Sequence, residues 1–359
     1  MDSVLLWCVL ILVVFGIVMV FSSSSIYASE KLGDDYHFLK KQLVIALLGI
    51  TLMVAAALAN YQLWSKLVLP ILIGSFLSLI LVLVPGVGNE VSGSSRWLKF
   101  AGFSLQPAEF AKLALIIYLA YSLSKKQQNI RFLPKAVVSG VFISLIIAQP
   151  DFGTAMILAA IVLALLFAAG LKLRHLLSGV LLSLPAIYLL IIRADYRKKR
   201  ILAFLNPWKD PTNSGFQIIQ SFLAFGSGGL WGMGLGRGRQ KLFYLPDAHT
   251  DFIFSVIGEE LGFLGVVVVL TLFLIVVLRG IKISLNAPDL FGSYLALGIT
   301  LMIGLQAVVN IGVSIGLLPT KGLTLPFISY GGSSLLVSLI GAGILLNISS
   351  RRASKTRKL

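Results

Sequence analysis

Only 14 of the 359 residues are acidic, and half of them stand where a carboxylate is hard to keep. Asp2, Glu30, Asp34, Asp35, Asp195, Asp210 and Asp289 fall in polar connections or at the terminus, where solvated charge is the ordinary role. Glu90, Glu109, Asp151, Asp247, Asp251, Glu259 and Glu260 lie at the ends of apolar stretches or inside them, where an ionisable group is costly and marks candidate chemistry. Asp251 is the most informative, at the point where a basic connection meets an apolar helix within Leu245–Gly262. Desolvation there raises a carboxyl toward the range of a general base and nearby positive charge opposes it; on spacing alone the residue serves equally well as a helix cap. Glu109 and Lys112, three apart at a helix start, share a face, either as a buried pair that tolerates the membrane or as part of a site. Asp151 follows Pro150 in Gln149–Thr154 and reads first as an N-cap. Glu259 and Glu260 would lie roughly 12 to 14 Å beyond Asp251 on a continuous helix, placed to pair with another span.

Two connections add donors. Gly316–Ser334 combines prolines, glycines and hydroxyls with one cation, Lys321, a shape suited to sugar or phosphate contact or to an ordinary interhelical link. Ser92–Lys99 carries Arg96, Lys99 and Trp97, the last also a reasonable interface anchor. The glycine-rich run Gly226–Gly238 has no preceding strand, no Gly-Lys-Ser/Thr and no Gly-x-Gly-x-x-Gly register, so it reads as a re-entrant or interfacial segment that needs close backbone approach rather than as a nucleotide loop. Three histidines and the single Cys8 offer neither a zinc cluster nor an internal disulfide.

The elements that must position these residues are membrane helices. The chain is 57% apolar and 12% charged with a net charge of +16, which excludes disorder and an ordinary soluble domain. At about 20 residues per span there is material for roughly ten helices. Ten apolar stretches are found, near 4–21, 43–58, 67–84, 108–123, 136–148, 152–171, 176–192, 252–278, 291–315 and 332–348. The first lacks the basic flank of a cleaved signal peptide and is expected to stay as a helix. Fourteen Lys and Arg fall on the side of the N-terminus, including Lys126, Arg131 and the tail from Arg351 to Lys358, against six in the short loops opposite, so both termini are expected in the cytoplasm. That comparison leaves out the long polar segment 193–250, with nine more positives including Arg197, Lys198, Lys199 and Arg200. The basic tail reads as an anchor near anionic lipid, and the chain shows no internal repeat of the kind an inverted-repeat transporter carries.

Four sets of residues, taken together, resemble the SEDS family of bacterial membrane proteins, whose members polymerise peptidoglycan. They are Ser92–Trp97 with Gln106–Lys112, Gln149–Thr154, His249–Phe254 and Pro326–Ser333, in family order across essentially the whole chain. Thr320–Thr324 is more similar to the division and sporulation branches than to the elongation branch. The resemblance implies an all-α polytopic membrane protein, one domain over 1–359 with about ten spans, an extracytoplasmic loop near 193–250 between helices 7 and 8, and a basic cytoplasmic tail over 347–359. It also implies a glycosyltransferase that joins lipid II, a disaccharide-peptide on undecaprenyl diphosphate, at the outer face of the cytoplasmic membrane for septal wall synthesis. The catalytic aspartate of the family falls on Asp251, its paired cavity positions on Glu109 and Lys112, and a further acidic position on Asp151.

The chemistry of that reaction suits these residues. The donor already carries a diphosphate leaving group, so the site needs a base for the acceptor 4-hydroxyl and positive charge on the opposite face of the sugar. Asp251 is the expected base and Lys112 the best-placed cation, with Arg96, Lys321 and the basic loop behind it and His249, Ser329 and Tyr330 as further substrate contacts. A divalent cation, Mg²⁺ or Mn²⁺, would suit oxygen ligands and a diphosphate; no other cofactor is called for. The expected partners are lipid II and nascent glycan, a class B penicillin-binding protein and other divisome membrane proteins, and no nucleic acid. A lateral opening near the outer leaflet would admit the lipid, and an acceptor groove would involve Asn206–Gln220. The alternatives are a lipid II flippase, which predicts a polar path to the cytoplasmic side, and a divisome scaffold.

Overall fold

The computed structural model describes residues 1–91, 94–100, 103–125, 132–192, 194–241 and 245–356. Ser92 and Gly93, Lys126 and Arg131, Arg193, and Arg357 and Lys358 of the tail lie outside the described residues, as do the side chains of Glu90, Arg352 and Lys355. Each of the ten apolar stretches coincides largely with one helix, the stretches near 67–84, 152–171, 252–278 and 291–315 running one to three residues past a helix end. These are α1 (Ser3–Leu32), α2 (His37–Leu58), then the short α3 (Gln62–Lys66) before α4 (Val68–Leu83), and α5 (Pro107–Ser124), α6 (Phe132–Ala148), α7 (Phe152–Ala168) and α8 (Leu173–Ile192). After α9 (Asp195–Leu205) and α10 (Phe216–Gly228) come α11 (Ile253–Leu285), α12 (Leu290–Ser314) and α13 (Gly332–Thr356). Five of them, α1, α2, α11, α12 and α13, are long and apolar enough to cross a membrane by length and composition.

Two regions depart from the all-helical, loop-linked expectation. The connection between α4 and α5 forms a three-stranded antiparallel sheet, β1 (Asn89–Val91), β2 (Ser94–Phe100) and β3 (Phe103–Leu105), in that order. The segment near 193–250 is not a plain loop: α9, a 3₁₀ turn over Pro207–Lys209 and α10 occupy much of it, and α10 packs along α11. Asp210 holds the chain between them by accepting from Ser214 and Asn213, so its polar groups are engaged locally.

Helix ends follow capping chemistry. Asp2 accepts from the N–H of Leu5 to open α1, Gly33 in the left-handed region closes it, and Asp289 accepts from Gly292 to open α12. α5 starts with Pro107 and is buried along most of its length against α4, α7, α12 and α13, as a central helix must be, with the Glu109–Lys112 pair its only charges. α8 is the opposite case. It carries Pro185 in its interior, touches α7 and α9, and has no buried side chain among its described residues.

The termini share one end of the bundle, where the Asp2 N–H reaches Ser349 and the Asp2 carboxylate pairs with Arg279 at 3.1 Å. The starts of α5, α7, α11 and α13 and the end of α12 meet at the other end.

α11 is broken at Gly262, whose φ of 65° and ψ of −163° belong to glycine alone. A Cβ there would overlap the N of Gly232, and one at Gly228 the carbonyl of Gly258. The glycine-rich run therefore lies directly on α11, the close backbone approach expected of it. Gly262→Ala is expected to lower the thermal transition of the detergent-purified protein sharply, since strain and overlap each cost about 1–3 kcal/mol. Gly226→Ala, with open space at its Cβ, should leave it unchanged. Equal transitions for the two variants would refute the close-packing account.

Candidate active site

Asp251 ends a turn whose N–H groups, those of Thr250 and Asp251, donate back to the carbonyl of Asp247. Its backbone is sewn to the Gly316–Ser334 connection from three sides. Asn310 of α12 donates to the carbonyls of Asp251 (2.9 Å) and Leu323 (2.6 Å), Ser329 donates to the carbonyl of Thr250, and the Tyr330 N–H donates to the carbonyl of His249. The carboxyl itself is half-buried and accepts no hydrogen bond among the described residues, so it does not cap α11. Burial pushes it up to about 7, with Asp247 adding to the rise and Arg200 and Arg96 opposing it. A Cβ at Gly322 would sit 3.3 Å from its Oδ2, so a side chain there would crowd the carboxylate.

Two cations, Arg96 and Arg200, act on this carboxyl, and a third, Lys321, lies at the start of α7 near Asp151 and Arg200. Arg96 on β2 donates to the carbonyls of Gln149 (3.1 Å) and Pro150 (2.6 Å), which aims its guanidinium at the start of α7. Arg200 of α9 donates to the carbonyl of Thr320. Lys321 lies 5.6 Å over the ring of Phe152, and burial lowers its affinity for a proton while Asp151 restores some of it. Asp151 caps α7 as expected, accepting from the Thr154 N–H and hydroxyl, and also takes a bond from Gln106. It is thereby both a cap and a buried negative charge next to Lys321.

Lys112 does not join that group. It is fully buried and gives its ammonium to Glu109 (2.9 Å) and to Gln306 (2.6 Å). Gln306 in turn donates to Thr324 and Ser334. The pair expected to supply the leading cation opposite Asp251 instead anchors, through one amide, the loop that carries Lys321. Glu260 pairs with Lys241 at 2.8 Å and accepts from Ser22 of α1, while Glu259 accepts from the N–H groups of Arg239 and Gln240. Their main partners thus come from the end of the glycine-rich segment, with only Ser22 coming from another span.

Arg200, Gln306 and Asn310 were not singled out by sequence. Gln306 and Asn310, four apart on one face of an otherwise apolar span, carry the signal that would have found them. Arg200 stands in a run of four basic residues with nothing to rank it above its neighbours.

Fold and site together define a polytopic membrane protein whose loops hold a half-buried carboxylate against a cluster of cations. The chain belongs to the FtsW/RodA/SpoVE family of cell cycle proteins, whose model matches residues 2–354. It is 52% identical to a probable peptidoglycan glycosyltransferase FtsW of Geobacter metallireducens over 98% of this chain and 95% of that one. It is 46% identical to stage V sporulation protein E of Bacillus subtilis over 97% and 96% of the two chains. These division and sporulation relatives agree with the branch expected from Thr320–Thr324. Among solved structures, a chain from a peptidoglycan synthase complex that coordinates polymerization and crosslinking superposes with a TM-score of 0.80 at 34% identity, covering 98% of each chain. The rod shape determining protein RodA of Thermus thermophilus superposes with a TM-score of 0.73 at 32% identity, covering 98% of this chain and 97% of that one.

Proposed function

We propose that the protein is a peptidoglycan glycosyltransferase that polymerises lipid II at the outer face of the cytoplasmic membrane, in septal wall synthesis, beside a class B penicillin-binding protein and other divisome proteins. The observation that carries this reading is a carboxyl with a proton affinity near neutrality under the influence of Arg96 and Arg200, with Lys321 close to Arg200 and Asp151. Asp251 removes the proton from the acceptor 4-hydroxyl as that oxygen attacks the anomeric carbon. The bond from that carbon to the diphosphate breaks on the opposite face, and the three cations stabilise the charge that develops there. Cations held by backbone carbonyls are already oriented, so little reorganisation is needed during reaction.

Among the described residues no three His, Cys, Asp or Glu side chains converge. A Mg²⁺ or Mn²⁺ ion of the kind that takes one or two carboxylates together with a diphosphate would be held at Asp251 and would supply positive charge to the leaving group. The exposed flank of α8 supports lateral entry of the lipid tail beside that helix. Glu259 and Glu260, the deepest acids near the site, are engaged by backbone and Lys241, which speaks against a polar transport path through them.

The test is to reconstitute the purified chain with a class B partner that lacks its own glycosyltransferase domain and supply labelled lipid II. Polymer on a gel is expected; transport of lipid II without polymer would overturn the reading. Because the base must be unprotonated, the rate is expected to rise with pH through a midpoint at about 7. Arg200→Gln removes a charge that lowers the proton affinity of Asp251, so this limb should move to higher pH. A limb that stays in place would assign the titration to another group.

A further inference from the structure

A second cluster borders Asp251, built from rings rather than charges. His249, two residues before Asp251, packs against Phe38 of α2 with ring centroids 4.7 Å apart, Tyr330 at 5.8 Å and Tyr27 of α1 at 5.9 Å. Phe38 meets Tyr330 edge to face at 5.1 Å and Tyr27 at 6.1 Å. Three sequence-distant pieces, the α1–α2 corner, the turn before α11 and the turn before α13, thus converge on one imidazole. The rings meet tilted or edge-on, so the cluster does not close into a stack. Tyr27 is 39% exposed and the other three are partly exposed, so ring surface remains open at the site end of the bundle.

The two clusters share no residue. The cations are held around Phe152, Gln149 and Pro150 at the start of α7 and by Thr320, while the rings gather at the ends of α1 and α2. They connect to Asp251 through different pieces of chain: the cations through β2, α9 and the Thr320–Gly322 stretch, the rings through His249 and the backbone of Thr250. Inverting transfer needs two separate subsites, because the leaving diphosphate and the attacking hydroxyl occupy opposite faces of the anomeric carbon. If the cations take the diphosphate, the ring side receives the saccharide that brings the hydroxyl. Open aromatic faces suit that ligand, since one face of a pyranose presents C–H groups that pack on a ring while its hydroxyls stay at the rim.

We propose that Tyr27, Phe38, His249 and Tyr330 form a stacking platform for the acceptor saccharide, a β-linked N-acetylhexosamine unit, on the side of Asp251 away from the cations. The inference rests on the glycosyltransferase reading and places the acceptor at the α1–α2 corner rather than along Asn206–Gln220. Two sources can present this sugar, the incoming lipid II and the end of a glycan strand.

The test uses the full-length protein and two variants that remove a ring but keep apolar bulk, Tyr27→Leu and Phe38→Leu, with Tyr27→Trp as the conservative rescue. The first readout needs no catalysis: binding of soluble β-1,4-linked N-acetylglucosamine tetraose, followed by saturation-transfer NMR in detergent. Tyr27→Leu and Phe38→Leu are expected to weaken binding about 3- to 10-fold. Tyr27→Trp and Asp251→Asn are expected to bind as the wild type does. The second readout is polymerisation with the class B partner. A raised KM for lipid II with unchanged product length assigns the platform to the lipid-linked disaccharide, and shorter products at matched consumption with unchanged KM assign it to the strand.

Wild-type tetraose binding that the leucine variants lose, in a protein that makes no polymer, would sustain the platform while removing the polymerase reading. Polymer formation in which the leucine variants match the wild type in tetraose binding, KM and product length would overturn the platform and leave the rings as interface anchors. Leucine variants that lose thermal stability along with activity, with Tyr27→Trp failing equally, would assign the rings to packing and overturn it as well.

Discussion

Asp251→Asn is expected to abolish polymer formation, with a loss of at least about 10²- to 10⁴-fold, while leaving the protein folded and bound to its partner. The carboxyl accepts no hydrogen bond among the described residues, so the near-isosteric amide loses no structural contact. The backbone carbonyl taken by Asn310 is untouched. What disappears is the group that accepts a proton near neutral pH. The measurement is the lipid II gel assay, run with the thermal transition of each protein as a control. Were the asparagine variant to make polymer at the wild-type rate, Asp251 would be structural and the base would have to be another acid. The structure makes that hard to arrange: Asp151 is held by Thr154 and Gln106, and Glu109 by Lys112.

The second large effect belongs to Lys112. Lys112→Met strands the carboxylate of Glu109 in the core of the bundle and frees Gln306 from the ammonium, a loss of roughly 3–5 kcal/mol. The folded yield should fall and activity with it, since Gln306 also ties down the Thr324 and Ser334 end of the loop bearing Lys321. Glu109→Gln combined with Lys112→Met removes both charges and is expected to recover most of the stability. A stable Lys112→Met protein that merely binds lipid II less tightly would return Lys112 to direct contact with the diphosphate. Thermal transitions of the two single variants and the double variant form the cycle that decides it.

The helices were the most legible part of the chain, because long apolar runs with few charges have one economical solution in a bilayer. The sheet over Asn89–Leu105 was not: its strands are three, seven and three residues long, too short for alternation to stand out. α10 was hidden for a related reason, as a 13-residue helix inside a segment that looked polar overall. At the site, position alone marks Asp251 as an unusual charge at the mouth of an apolar helix, open equally to a cap or a base, and the family resemblance is what made it the expected base. The division of labour among the cations was not legible. Which basic side chain lies beside Asp251 depends on how β2, α9 and the Gly316–Ser334 connection fold back, and a charge count carries no record of that. Lys112 shows the limit most clearly, since spacing on a helix puts it next to Glu109 but does not say that Gln306, 194 positions away, takes its ammonium.

The break at Gly262 also bears on how the chain is made and inherited. The N–H groups of Phe263 and Leu264 reach the carbonyls of Gly229 and Leu230, and those of Met233 and Gly234 reach the carbonyls of Glu259 and Glu260. Neither piece can satisfy its own backbone, and in a bilayer no water does so for it. α10 leaves the ribosome before α11, so its glycine-rich continuation gains these bonds only once α11 has followed. The same interlock makes residues 226–264 a block for recombination: chimaeras between relatives should tolerate crossovers outside it far better than within it.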